Sequence, residues 1–547
     1  MMKNYIRDNR ILIIVTCLLI AGVCAAGIFL DSNVWAQPEI AEEVMEEIPE
    51  ESVIAKSSVP MDNDLLHKEL KQEKLYLKSL EAIAAVPGEE ETAVLAEPLP
   101  EGEASGFVTV GLYSSCSSVS NGAVSEITVS CEDGFYLSKV VGRGYAPDTD
   151  LRKYTSLTVR VKDGVINLYD AEGNIVLTGL CNDDVLISAT AEADSRIISI
   201  GPSKYRDGVM FKAESSTRMA VINFVDLEHY LWGTLHSEMS AGNPIEALKA
   251  QAVACRSFAV SHYGYHGKYG FDLCPTTNCE VYKGISAEKE QTIRACRETK
   301  GTVMYCDGKV ASGYFYASSG GYTMNSEDVW GGTISYLRAV PDPYAPLKNW
   351  NTSITFDALK KKLSSNGMNV GNIQSVQITD HYANGAVKAL LITGDAGSVT
   401  LSGSYNPSNR SMVSVIGSGT LQSVFFSIST DQTQTASAAN GNVATTSGSM
   451  ASSDAVVLNA DGTTSNIDLS SSYAVGADSV QPITPAAIQA PAPVQQTVTG
   501  GVVYFSGYGY GHGCGLPQTS AIAMANAGHT YTEILTYYYT EIQLKQL

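Results

Sequence analysis

Four stretches of the chain hold residues whose types and spacing could do chemistry. Asp226 to Met239 reads DLEHYLWGTLHSEM, in which Leu227, Tyr230, Leu231 and Leu235 fall on one helical stripe. Glu238 stands three residues beyond Leu235, at the edge of that stripe, where a carboxyl would be half desolvated. Desolvation raises a carboxyl pKa and suits the group to giving and taking protons. The same spacing fits a solvated surface glutamate, so position alone leaves both readings open. Glu246 has a sufficient structural task in Asn243-Pro244-Ile245-Glu246, which reads as a helix start with Asn as N-cap and a capping-box acid.

Cys274 and Cys279 have four residues between them and His262 and His266 upstream, a spacing compatible with a zinc clip. Two free thiols or a local disulfide satisfy it as simply. Ser318-Ser319-Gly320-Gly321, followed by Asp328 and Trp330, combines hydroxyls, a carboxylate and an aromatic face, the groups that hold a sugar ring. A hairpin turn with a packed Trp needs the same residues. The run GYGYGHGCG over Gly507–Gly515 is glycine-rich around His512, but it lacks the Lys and Ser/Thr of a phosphate-binding loop. Its glycines are expected to let the backbone approach a ligand or another strand closely.

The elements that must position these groups change texture along the chain. From Gly106 to about Asn223, short β-branched runs (Phe107–Leu112, Ser125–Ser130, Leu157–Lys162, Asn174–Leu177, Ile197–Ile200) alternate with Gly, Asn and Asp clusters, an all-β pattern. Helices are expected from Asp226, and from Pro244 to about His262. Residues 106–430 are expected to form one domain, a β part followed by the catalytic part. Residues 431–499 read as a disordered Ser/Thr/Ala/Pro-rich insertion. Residues 500–547 complete the same domain with a strand near Val502–Phe505, the glycine loop, a helix from about Pro517 and a last helix holding Tyr537–Tyr539. The expected fold class is α+β: a mixed, β-rich domain with an inserted helical catalytic segment, preceded by a single transmembrane helix and an acidic stem.

Composition bounds the function. Hydrophobic residues make up 44% of the 547, enough to bury a core, which excludes wholesale disorder. A net charge of −21 leaves no basic footprint for a nucleic acid, so none is expected as a partner. Much of the acid lies between Gln37 and Ala104, with 18 Asp/Glu against 5 Lys, so 31–105 reads as a self-repelling stem with a short helix near Leu65–Ala84. Ile11 to Leu30 is 20 residues without a charge, long enough to cross a bilayer, and Lys3, Arg7 and Arg10 precede it. This charge bias predicts a cytoplasmic tail (1–10), a signal-anchor (11–30), and an extracytoplasmic remainder at the cell membrane. The competing reading is a cleaved signal peptide, with cut sites near Ala25–Ala26 or Ala36. Eleven cysteines, two of them in the apolar run, fit no dense disulfide scaffold.

Five ordered motifs then carry a resemblance: VINFVDLEHYLWGTLHSEM, PIEALKAQAVACRSFA, FDLCPTTNCEVYKG, ASSGGYTMNSEDVWGG with YLRAVPDP, and GYGYGHGCGLPQ with AIAMANAGHTYTEILTYYY. In their order and spacing the chain, from about Gly106 onward apart from the insertion, resembles the stage II sporulation protein D family (SpoIID/LytB domain). The resemblance implies a peptidoglycan lytic transglycosylase acting between N-acetylmuramic acid and N-acetylglucosamine of peptide-free strands, with Glu238 as its acid/base and no cofactor needed for catalysis. It also implies substrate contacts at Arg256, Lys348, His512 and Gln518, and a structural zinc at Cys274 and Cys279. Some relatives are enhancers of a cell-wall amidase, so an amidase partner, or a module that only grips glycan, is the alternative. Arg256, twelve residues after Pro244, would lie about 18 Å along an unbroken helix, which argues against direct contact with Glu238. The chain departs from the pattern at Asn278, where zinc-holding relatives often have His, so a metal here would need His266 or a water. It departs again at Cys514 and Pro517.

Overall fold

A computed structural model describes residues 106–346, 349–406, 410–430 and 496–547, with the backbone of three short hairpins between 442 and 482. The apolar run 11–30, the stem and Lys348 lie outside the described residues. Among the residues described, no helix is long and apolar enough to cross a membrane.

The chain opens with twelve strands: β1 (Phe107–Tyr113), β2 (Glu126–Ser130), β3 (Phe135–Val141), β4 (Gly144–Leu151), β5 (Ser156–Lys162), β6 (Val165–Tyr169), β7 (Ile175–Thr178), β8 (Asp184–Ser188), β9 (Ile197–Ile200), β10 (Ser203–Arg206), β11 (Gly208–Ala213) and β12 (Met219–Asp226). They form two six-stranded sheets, ordered β1-β12-β11-β8-β3-β4 and β10-β9-β2-β5-β6-β7. Val108, Val110, Leu157, Val159, Ile198 and Ile200 meet between the sheets. Each strand expected from the sequence is present, from β1 to β9, within one or two residues of the expected bounds. Of the strands with no expectation, β3 is interrupted by Ser138-Lys139 and β8 offers only three apolar residues, Val185–Ile187.

Strand β12 is buried on both faces. Met219, Val221 and Val225 point into the sandwich, while Ala220, Ile222 and Phe224 pack with Phe271 and Cys274 of a later loop. The two-residue period of a strand makes that division, and it explains why VINFV is apolar at every position but Asn223. The chain runs from β12 directly into α1 (Leu227–Glu238), with the Asp226 carboxylate accepting from the Glu228 amide at 2.8 Å as N-cap. Helix α2 (Ile245–Ser261) follows, then α3 (Glu290–Glu298). Helix α2 starts one residue later than expected and without a side-chain cap. Glu246 closes no capping box; it accepts from Lys249 Nζ and from the amide of Tyr531, each at 2.8 Å.

The remainder is mixed. Helices α4 (Ser326–Trp330), α5 (Phe356–Ser365), α6 (Met412–Ile416), α7 (Gln518–Asn526) and α8 (Tyr531–Tyr538) lie among small sheets. Val502–Tyr508 is the central strand of one sheet, flanked by Asn349–Thr355 and Phe425–Ser429. The segment after 500 therefore threads between strands laid down before 430, in a single core with them. Within 431–499, where the sequence reads as disordered, the described backbone forms three two-stranded hairpins, 442–445 with 448–451, 456–458 with 464–466, and 473–475 with 480–482. Hairpin pairing is local and needs no shared core, so polar composition does not forbid it.

Candidate active site

Helix α1 ends at Glu238, half-buried. The Val281 amide donates to its Oε1 at 2.6 Å, the one hydrogen bond made by its side chain among those described. Burial raises the Glu238 pKa above the usual carboxylate value, against the opposing pull of the Val281 N–H and the Lys283 charge. A carboxyl in this state keeps its proton to higher pH than a solvated one, as a general acid requires. Desolvation inferred from the apolar stripe thus has its counterpart in the fold.

Gln518, 280 residues away, opens α7 and donates from Nε2 to the backbone carbonyl of Glu238 at 3.0 Å. It also reaches Gln251 Oε1 of α2 at 3.4 Å. A parallel ladder, Phe315 with Leu516 and Tyr316 with Pro517, sets this register. The ladder also brings Thr519 to Ser318, with hydroxyl to hydroxyl at 3.0 Å. Glu238 thus contacts Gln518 directly, while Ser318 contacts Thr519, the next residue along the chain.

Glu280 was not singled out in the sequence, and it is the most buried acid beside the site, at 0% exposure. Tyr230 donates to its Oε2 at 2.9 Å, while Oε1 has no hydrogen-bond partner. Burial pushes the Glu280 pKa up to about 8, the Glu238 charge adds to it, and Cys255 and Tyr230 oppose it. Burial thus favours the neutral form of Glu280, and Glu238 is the carboxyl that reaches solvent.

Other expected contacts fall elsewhere. Arg256 is wholly buried and forms a two-pronged ion pair with Glu228, at 2.8 and 2.7 Å, with further donation to the Thr302 and Cys296 carbonyls. It cannot meet a glycan; a guanidinium drawn inside must be paired, and its helix faces Glu228. Ser319 is 1% exposed and donates to Asp342, which also accepts from Ser520 and Tyr538. It belongs to this buried carboxylate cluster and not to a sugar site. The Gly320–Gly321 backbone is likewise engaged inside: Gly320 abuts the Phe425 ring, and the Gly321 carbonyl accepts from the Asp342 amide. Asp328 accepts from Asn325, and Trp330 packs half-buried against Tyr314 and His512. His512 spends both ring nitrogens on the backbone, donating from Nε2 to the Phe315 carbonyl and accepting from the Cys514 amide at Nδ1. Burial lowers its pKa to about 4, so it stays a neutral structural ring.

Cys274, Cys279 and His266 converge, with one ligand atom from each lying within 4.8 Å of the others. Tetrahedral zinc with bonds of about 2.3 Å to sulfur needs donors roughly 4 Å apart, so the set suits that ion. The nine cysteines described are unlinked, which leaves no disulfide between Cys274 and Cys279. His266 faces Cys279 with Nε2 at 3.4 Å and Cys116 with Nδ1 at 3.7 Å. The Asn278 amide lies 3.8 and 3.9 Å from the two sulfurs, in the place the resemblance gives to His. His262 is not in this group; it stacks on Phe258.

A family model described as stage II sporulation protein (SpoIID) matches residues 215–305. An uncharacterized protein of Brachyspira hyodysenteriae is 32% identical over 200 residues, covering 36% of this chain and 54% of its own length. An amidase enhancer of Bacillus subtilis is 34% identical over 132 residues, 24% of this chain and 18% of its own. Stage II sporulation protein D of the same organism is 32% identical over 135 residues, 22% and 39%. The chain thus spans about half the length of the first and less of the others. Residues 215–305, the segment that carries Glu238, Glu280 and the Cys274–Cys279 loop, are thus similar to the stage II sporulation protein (SpoIID) family.

Proposed function

We propose that the protein is a lytic transglycosylase of peptidoglycan. The observation that carries this reading is the environment of Glu238: a half-desolvated carboxyl at a helix end, held by one backbone N–H, with a raised pKa. Protonated, Glu238 gives its proton to the glycosidic oxygen as the bond from the anomeric carbon breaks. The carboxylate then takes the proton of the muramic acid 6-hydroxyl, whose oxygen bonds to the anomeric carbon. Glu238 is restored, an anhydro sugar is formed and no water is consumed. This sequence needs one working carboxyl, whereas a hydrolytic glycosidase uses two.

The metal reading is part of the proposal. Cys274, Cys279 and His266 would hold a structural zinc, which ties down the loop ending in Val281 and so the amide that holds Glu238. Stoichiometric zinc in protein purified without added metal, lost in Cys274→Ser, supports it; two reactive thiols without metal end it. We place the work outside the cytoplasmic membrane, anchored through 11–30, in wall remodelling during sporulation.

The test is digestion of peptide-free glycan by the full chain, with product ends resolved by mass. Anhydro ends from the wild type and none from Glu238→Gln are expected; equal release by both defeats the assignment, and hydrated ends indicate a hydrolase. The relative named amidase enhancer favours a second reading, activation of an amidase by contact. Under it, the protein leaves glycan intact alone and speeds digestion only when an amidase is added.

A further inference from the structure

The hydroxyl pair at Ser318 and Thr519 leads away from Glu238 toward an aromatic side chain that the proposed reaction does not use. Among the described residues only two aromatic side chains are exposed, Tyr265 at 58% and Tyr510 at 54%. Tyr265 lies against His262 and His266, beside the thiol cluster. Tyr510 lies in the glycine loop, and its ring packs on no other aromatic ring among the described residues.

An exposed ring on a mobile loop would make a poor binding surface, because ordering it costs conformational entropy. The backbone of Tyr510 is already ordered. It exchanges two hydrogen bonds with Ser318, its amide donating at 2.8 Å and its carbonyl accepting at 3.1 Å. On one side Gly509, at φ +77°, lies so close to the 318–320 backbone that a Cβ would come within 2.9 Å of Gly320 N. On the other, Gly511, at φ +111°, donates from its amide to the Gln422 carbonyl and accepts from the Tyr405 hydroxyl. Glycine is required at both places for conformation and for space, a Cβ at Gly511 falling 2.9 Å from Tyr316 Cβ. The alternating glycines therefore fix the backbone from which one aromatic side chain projects into solvent. From Tyr510 the contacts run to Ser318 and on to Thr519, whose chain neighbour Gln518 donates to the carbonyl of Glu238.

We propose that Tyr510 is the stacking platform of a second sugar subsite, which receives the C–H face of a hexosamine ring in the same glycan strand that Glu238 cuts, with the Ser318 and Thr519 hydroxyls facing the sugar's polar edge. The proposal rests on the glycan reading above and deepens it. A pyranose presents an apolar face and a rim of hydroxyls. An aromatic ring beside two hydroxyls matches both, and neither a nucleotide nor an acidic peptide would need that pairing. Tyr510, and not the half-buried Trp330, is then the aromatic group that grips substrate.

The experiment uses the full chain carrying Glu238→Gln, so that strands bind without being cut, and measures its affinity for peptide-free glycan strands. Adding Tyr510→Ala is expected to weaken binding about tenfold, the usual scale for truncating an aromatic anchor. Tyr510→Phe is expected to bind as the parent does, because the ring face and not the hydroxyl makes the contact. Melting temperature should be the same in all three, since the side chain packs on little. Unchanged affinity in Tyr510→Ala overturns the platform, as does a loss shared by Tyr510→Phe or matched by a fall in melting temperature. Failure of the Glu238→Gln parent to bind any glycan removes the substrate reading itself, and the platform with it. Binding by the parent with no effect of Tyr510→Ala removes the platform alone.

Discussion

Helix α1 carries two glutamates ten residues apart in sequence, and the fold treats them in opposite ways. Glu228, in the first turn, is 6% exposed, with both carboxylate oxygens on Arg256 and the Gly301 amide donating to Oε1 as well. Around it the same end of the helix holds His229, clasped between Asp207 at 2.9 Å and Asp194 at 3.2 Å, and the Asp226 cap. Glu238, at the last residue, is half desolvated and receives one backbone N–H. Burial with a full set of partners makes a charge structural, because moving its proton would break the set. Burial with too few partners raises the pKa and leaves the proton available. The two ends of one helix thus separate support from chemistry.

The sharpest way to break this comparison is to neutralise each acid. Glu238→Gln is expected to lower glycan cleavage by roughly 10²–10⁴-fold, the range for a lost general acid, with melting temperature nearly unchanged. Glu228→Gln should do the reverse: a loss of about 3–5 kcal/mol in stability, because Arg256 is left buried without its counter-ion. Chemical denaturation of the two variants checks this, and equal stability loss in both would erase the distinction. Glu228→Leu combined with Arg256→Met should recover most of that loss, since a packed apolar pair can replace a buried ion pair at little net cost.

Gln518→Ala tests whether the C-terminal signature serves the acid. Its amide caps the α1 carbonyl at Glu238, so removal should shift the helix end and reduce turnover by about tenfold, the order of one hydrogen bond to the site. A pH–rate profile that moves on substitution supports a positioning role; a change confined to melting temperature would make Gln518 purely structural.

The smallest effect concerns pH and the other helix end. Burial alone would lower the His229 pKa, but the Asp207 hydrogen bond and charge, with Asp226 and Asp194, outweigh it and raise the value above 6.5. A raised histidine stabilises fully below 6.5, and that contribution is lost as pH climbs through the folded-state value. Asp226 is raised to about 6, first by burial and then by the Asp207 charge, so ionising it costs stability as pH rises from 3.8 toward 6. Both slopes have the same sign. The contribution of these two groups to stability should fall as pH rises from about 4, the His229 part above 6.5. His229→Gln should flatten the upper part of that slope, read from melting temperature against pH.

Some of this architecture was legible along the chain because it is set by neighbours. The β1, β5 and β9 runs alternate or cluster β-branched residues, the Asp226 cap precedes an apolar stripe, and Glu238 sits at the stripe's edge; each is a matter of a few residues and a known period. The Cys274–Cys279 spacing likewise brings two thiols together by short chain length alone. What spacing could not decide is which partner a polar side chain finds when that partner is far away in sequence. Arg256 looked like a ligand contact until α1 placed Glu228 beside it. Ser319 looked like a sugar hydroxyl until Asp342 and Tyr538 enclosed it. His512 looked available until Phe315 and Cys514 took its two nitrogens. Glu280 attracted no notice, because nothing local tells a buried carboxyl from an exposed one. Periodicity reports the faces of an element, whereas desolvation and pairing are properties of what packs against those faces. Those contacts, 280 residues apart in the case of Glu238 and Gln518, are settled only when the chain has folded.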